Sequence, residues 1–197
     1  VSLTIPNSIT SIGDMAFYKC ISLPSIDIPN SVESIGQKAF FGCDGFTSVN
    51  IPDCVKTIGS GAFAGCNNLT AFYGKFASKD NRYQHINETL NSFAPCGLKK
   101  YIIPKEIYKI GDYSFSECTS IKDVTMLMPV RHIGIDAFRG CKSLSHIIIP
   151  QAIQDIGSGA FFNCAKSQKV ISHHHNPYNI KLNSNPFSSA GNSTLYV

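Results

Sequence analysis

An apolar pattern returns six times along the chain in the same phase. An Ile-Gly pair stands at Ile12-Gly13, Ile35-Gly36, Ile58-Gly59, Ile110-Gly111, Ile133-Gly134 and Ile156-Gly157. A Phe follows five residues after each Ile, at Phe17, Phe40, Phe63, Phe115, Phe138 and Phe161. A Cys follows three residues after each Phe, at Cys20, Cys43, Cys66, Cys118, Cys141 and Cys164. Upstream stands Ile-Pro, as in Ile5-Pro6, Ile28-Pro29, Ile51-Pro52, Ile103-Pro104 and Ile149-Pro150. The Ile-Gly pairs are 23 residues apart except for one gap of 52. Phe93 and Cys96 keep the Phe-to-Cys spacing inside that gap, which divides it into a stretched unit and a shortened one. The pattern predicts seven coils over residues 1–164, with an insertion in the fourth at about 74–92 and a C-terminal closing unit at 165–197.

Within one unit the inward positions are Leu23, Ile26, Ile28, Val32, Ile35, Ala39, Phe40 and Cys43. Burying a large apolar side chain contributes about 1.5–3 kcal/mol. Ordering the backbone costs about 1–2 kcal/mol per residue. A single coil is therefore unstable, and only a stack that shares its apolar faces folds. The alternation from Leu23 to Ile28 predicts a strand, and Pro29 ends its ladder by removing a donor. Val32–Ile35 predicts a second short extended piece, and Gly36 a sharp turn. The spacing of Ala39, Phe40 and Cys43 predicts a short helical turn.

The composite pattern L-x-x-I-x-I-P-x-x-V-x-x-I-G-x-x-A-F-x-x-C resembles the BspA-like class of leucine-rich repeats over nearly the whole chain. The segments Tyr73–Asp80 and Leu90–Pro95 resemble an insertion repeat of that family, and Asn185-Pro186-Phe187 with Leu195-Tyr196-Val197 its closing unit. Met126-Leu127-Met128-Pro129 departs from the pattern by shifting its Pro two places, and no Asn ladder is present. The resemblance implies a right-handed α/β solenoid with one strand, a short second strand and a short helical turn per repeat. It also implies a bacterial or protozoan protein, at the cell surface or secreted, that binds host or other extracellular proteins.

Stacking at about 4.8 Å per coil sets equivalent residues in ladders. Two ladders point outward from the strand. One holds Tyr73, Ile102, Thr125, Ile148 and Ile171, and the other Lys100, Asp123, His146 and Lys169, with Lys122 beside it. Outward Ile rimmed by charge marks an interaction patch, although β-branched residues also suit any exposed sheet. The favoured function is a non-catalytic module for protein–protein interaction or adhesion through this face. The alternatives are a structural spacer in a larger surface protein, since the sequence opens within the repeat, and a carbohydrate-binding module, for which Tyr73 is the aromatic candidate. The insertion places Phe76, Tyr83, His85 and Ile86 among charged residues, and Phe76, Ile86, Leu90 and Phe93 suit packing.

Composition narrows the choice further. Of the 197 residues, 43% are hydrophobic and 15% charged, so the chain has core to bury and is not intrinsically disordered. A net charge of +4, spread diffusely, does not suggest nucleic acid. No apolar run reaches the roughly 20 residues of a membrane span. The ladder cysteines lack the paired spacing of zinc ligands and read as reduced, buried small hydrophobes, with Cys54 the odd one out. His173-His174-His175 reads as polar tail rather than a metal site. No G-x-S-x-G, H-E-x-x-H, P-loop or dinucleotide fingerprint occurs. The expectation is no enzyme, no cofactor and no metal.

Overall fold

The computed structural model describes residues 3–93, 98–126, 129–165 and 180–187, and the backbone of 169–172 and 194–196. Cys96 and His173–His175 lie outside the described residues. In chain order the first strands are β1 (Ser11–Ile12), β2 (Ser34–Ile35), β3 (Ser48–Ile51), β4 (Thr57–Ile58), β5 (Ala71–Gly74), β6 (Tyr83–Ile86), β7 (Thr89–Phe93) and β8 (Lys100–Ile103). They are followed by β9 (Lys109–Ile110), β10 (Asp123–Met126), β11 (His132–Ile133), β12 (His146–Ile149), β13 (Asp155–Ile156), β14 (Lys169–Ser172), β15 (Lys181–Leu182) and β16 (Thr194–Tyr196). The chain is a β-solenoid whose like strands pair in parallel from coil to coil. Four sheets result: β1-β2-β4, β3-β5, β8-β10-β12-β14-β16, and β6-β7-β9-β11-β13-β15.

The inward set is the expected one. Leu23, Ile26, Ile28, Val32, Ile35, Ala39, Phe40 and Cys43 are all buried. The phenylalanines form the interior stack. Phe17, Phe40 and Phe63 lie 5.2 Å apart ring to ring. Phe93, Phe115, Phe138, Phe161 and Phe187 continue at 4.5–5.3 Å. These separations match the strand spacing of a sheet, because one coil of chain supplies one strand and one ring.

The segment after each Ile-Gly is not helical. Its backbone amides alternate between two partners. Phe40 N–H donates to Ala62 of the next coil, while Ala39 and Cys43 donate within their own coil to Gly36 and Phe40. The bonds within the coil close tight turns, and the bonds between coils form a third ladder along the stack. Each pair of turns needs a left-handed residue at its third position, and φ is positive at Lys38 and Gly42, Tyr113 and Glu117, Asp136 and Gly140. A helix would direct every N–H along its own axis and leave neighbouring coils unbonded there. The ladder also explains the cysteines. The thiols of Cys43, Cys66, Cys141 and Cys164 donate to the carbonyls of Phe17, Phe40, Phe115 and Phe138, each one coil back, at 3.0–3.2 Å. The seven described cysteines are free, and Cys20 is exposed.

The strand face is interrupted, contrary to the continuous ladder that the spacing predicts. β5 pairs with β3 but not with β8. In the second coil the expected strand is reduced to a single bridge between Thr4 and Asp27. The segment around residues 78–93 enters the gap as an antiparallel hairpin, β6-β7, with β7 parallel to β9. Leu90 thereby takes the Ile position of the repeat, and its carbonyl accepts from Gly111 N–H. Two apolar cores result, one from Ile5 to Phe72 and one from Tyr83 to Cys164. The hairpin serves both: Tyr83, Leu90 and Phe93 belong to the second core, and Phe76 and Ile86 pack on the first. Among the described residues no helix is long and apolar enough to cross a membrane.

Candidate interaction surface

Strands β8, β10, β12 and β14 set most of the expected surface residues in register. Lys100 pairs with Asp123, Asp123 with His146, and His146 with Lys169. Ile102, Thr125, Ile148 and Ile171 form the parallel ladder two residues on. Alternation along a strand puts Tyr101, Val124 and Ile147 on the core side, where Val124 and Ile147 are buried. The side chains of Lys169 and Ile171 lie outside the described residues.

Two features separate this surface from a simple stripe of isoleucines. Ile102 is 60% exposed, while Ile148 is half-buried beside Thr125. The apolar exposure is therefore concentrated on β8, the edge of its sheet. Next to it Asp123 is clamped on both sides, with Lys100 Nζ at 3.3 Å from Oδ2 and His146 Nδ1 at 3.3 Å from Oδ1. Lys122 is exposed just before β10, its amide tied to the Lys99 carbonyl. Tyr73 is not part of this group. It lies 48% exposed on β5, in the separate two-stranded sheet with Asn50 opposite.

The second strand carries a comparable charged ladder that sequence reasoning missed. Lys109, His132, Asp155 and Lys181 follow one another in register on β9, β11, β13 and β15. His132 Nδ1 lies 2.5 Å from Asp155 Oδ2. Opposite charges at 23-residue spacing were the available signal.

The insertion holds the edge strand in place. Tyr101 of β8 donates its hydroxyl to Asp80 Oδ2 at 3.1 Å and packs on Phe93 and Tyr83. Burial alone would raise the Asp80 carboxyl. Hydrogen bonds from Ser78 Oγ, the Arg82 amide and Tyr101 outweigh it and hold the group below its usual value. Burial pushes the Tyr83 hydroxyl up to about 12, and the charges of Glu106 and Asp80 add to the effect. These are packing interactions that fix the loop against β8. No cluster of three or more metal-ligating side chains is present among the described residues.

A family profile described as "BspA type Leucine rich repeat region" matches in six copies, over residues 1–83 and 84–195. A search of curated proteins returns no match. Among solved structures, a leucine-rich cell surface protein of Faecalibacterium prausnitzii is similar, with a TM-score of 0.64 and 24% identity over 86% of this chain and 53% of its own. A leucine-rich repeat protein of Eubacterium ventriosum gives 0.60 and 22% over 88% and 60%. The pneumococcal vaccine antigen PcpA gives 0.60 and 17% over 94% and 66%. The chain thus spans between about half and two-thirds of each of these three proteins, and at these identities the likeness is one of fold.

Proposed function

The chain belongs to the BspA-type leucine-rich repeat family, and from that premise we propose that it is a non-catalytic module that binds an extracellular protein through the β8-β10-β12-β14 face. One observation carries this reading. Ile102 stands 60% exposed on an edge strand, beside the fixed Lys100–Asp123–His146 ladder. An apolar side chain flanked by oriented charges is the anatomy of a binding patch, with burial supplying affinity and charge supplying register. Lys122, Thr125, Ile148, Lys169 and Ile171 would widen the contact, and Tyr73 would join only for a partner long enough to cross the break. Placement at the cell surface is supported by the description of the Faecalibacterium protein.

The test compares the parent protein with a variant in which Ile102, Ile148 and Ile171 are replaced by Ser. Both are immobilised and exposed to purified host extracellular-matrix and serum proteins, with binding read by surface plasmon resonance. A partner held by the parent should bind the variant at least tenfold more weakly. Equal binding to a variant of unchanged circular dichroism would remove the site from this face.

A further inference from the structure

We propose that the residues leading into β8, β10 and β12 form a cationic track for a linear sulfated polysaccharide. The proposal rests on the extracellular placement given above and is independent of the Ile102 contact. Charge is divided unequally along the chain. Residues 1–98 hold six Lys and Arg against seven Asp and Glu, whereas residues 99–197 hold eleven against six. The first part is thus −1 and the second +5.

The repeat supplies its own control. Lys122 N–H donates to the Lys99 carbonyl one coil back, as Thr70 N–H donates to the Thr47 carbonyl. These four residues hold one position of successive coils, and all are exposed. One residue on, Ser48 pairs with Ala71 where Lys100 pairs with Asp123. A coil therefore folds with a small neutral residue at either position, and packing does not explain the lysines. Electrostatics disfavours them, because neighbouring strands lie about 4.8 Å apart and like charges directly opposite are destabilising. The carboxylate of this ladder, Asp123, already pairs with Lys100 and His146. The Glu117 carboxyl is turned onto Gly140, on the turn side. Lys99, Lys122 and Lys142, the last on the turn before β12, are exposed and form no ion pair among the described residues. An anion from outside would relieve their repulsion.

The chemistry of the track selects the class of anion. Its charges are compact ammonium groups on long stems, without the guanidinium fork that reads a carboxylate or phosphate in two bonds. They respond to density of charge more than to its geometry. They follow the stack coil by coil, so a linear polymer laid along the rod meets them in succession. Single-stranded nucleic acid would want exposed rings on which to stack its bases, but Tyr101 beside Lys100 is half-buried and bonded to Asp80. A protein partner finds its apolar anchor further along β8, at Ile102. A sulfated glycosaminoglycan has no base or apolar side chain to bury, and carries fixed negative charge along its whole length.

The probe is a heparin dodecasaccharide, titrated into the whole chain by isothermal calorimetry at low and at physiological salt. The parent should bind, more weakly as salt rises and counterion release is lost. Desulfated heparin should not bind. Lys99→Thr with Lys122→Thr installs the residue that earlier coils carry at this position, and should weaken binding about tenfold or more. Lys56→Thr with Lys109→Thr removes the same charge from the second-strand side, where Thr10 and Thr89 hold the equivalent positions. It should change affinity less than about twofold. The Ile102, Ile148 and Ile171 triple variant should bind heparin like the parent, so the protein-binding reading and this one fail separately. No binding by the parent, equal binding of desulfated heparin, or equal weakening by the two lysine pairs would overturn the proposal. Poly-glutamate or DNA held as tightly as heparin would overturn it in favour of an acidic protein or a nucleic acid.

Discussion

Replacing Phe40 by Ala tests whether the ring stack is the principal interior contact. Phe40 is fully buried, with Phe17 on one side and Phe63 on the other at 5.2 Å each, and Phe46 tilted against it at 5.8 Å. Lost burial contributes up to about 3 kcal/mol, and each ring pair about 0.5–1.5 kcal/mol. The cavity relaxes only in part, so the expected loss is about 3–5 kcal/mol. Phe17 belongs to the first coil, is half-buried and has a single ring neighbour among the described residues. The same truncation there should cost about 1–2 kcal/mol. Asp27, exposed at the isolated bridge in the same coil as Phe40, should change stability by less than about 0.5 kcal/mol when replaced by Ala. Urea unfolding followed by far-UV circular dichroism ranks the three. Equal losses at Phe17 and Phe40, or a loss at Asp27 comparable to either, would refute a stack in which each ring depends on both neighbours.

Two further expectations follow from the ladders. The glycine of the Ile-Gly pair should tolerate Ala at Gly13, where an added Cβ meets nothing within 4 Å, but not at Gly59, where it would lie 2.4 Å from the Gln37 amide nitrogen. Thermal melts should show Gly13→Ala unchanged and Gly59→Ala destabilised by about 1–3 kcal/mol or more, and equal melts would argue against close approach of the coils. The buried thiols make stability fall at high pH. Burial pushes Cys43 up to about 11 and raises Cys66, Cys118 and Cys141 further, against an unfolded value of about 8.5. The folded state thus keeps protons that the unfolded state releases. This contribution is complete below about pH 8.5 and is lost as pH rises through about 11. Urea midpoints at rising pH should fall across that window, and at pH 8 a disulfide reagent should label exposed Cys20 ahead of Cys43. A flat midpoint, or uniform labelling, would count against buried neutral thiols.

The repeat was legible because each coil needs the same side chains at the same depth. Ile, Phe and Cys recur wherever burial is complete, so spacing alone locates the core. The helical turn was misjudged because Ala39, Phe40 and Cys43 satisfy helical spacing equally well. What distinguishes the turns is backbone φ, and Lys38, Tyr113, Glu117 and Asp136 hold positive values that only the coil-to-coil ladder makes affordable. The break after β5 was hidden for a different reason. Aligning Tyr73 with Ile102 assumes that the fourth coil supplies an ordinary strand, whereas Asn81 accepts the Phe72 amide and Asp80 takes the Tyr101 hydroxyl. These contacts involve an insertion with no counterpart elsewhere in the chain.

The proposed β8 face traces to that one irregular coil. In a regular stack β8 would be covered by the strand before it, and Ile102 would sit mid-ladder like Ile148. Here β5 pairs only with β3 and the hairpin pairs with β9, so β8 is an edge and Ile102 is left open. On the turn side the same irregularity brings Gly61 and Gly65 of the third coil against Tyr113 and Glu117 of the next complete one. The glycines are required by that approach. A solenoid of identical repeats presents the same surface at every step and so cannot distinguish one segment from another. The insertion supplies the asymmetry that sets the proposed β8 face apart from the rest of the stack.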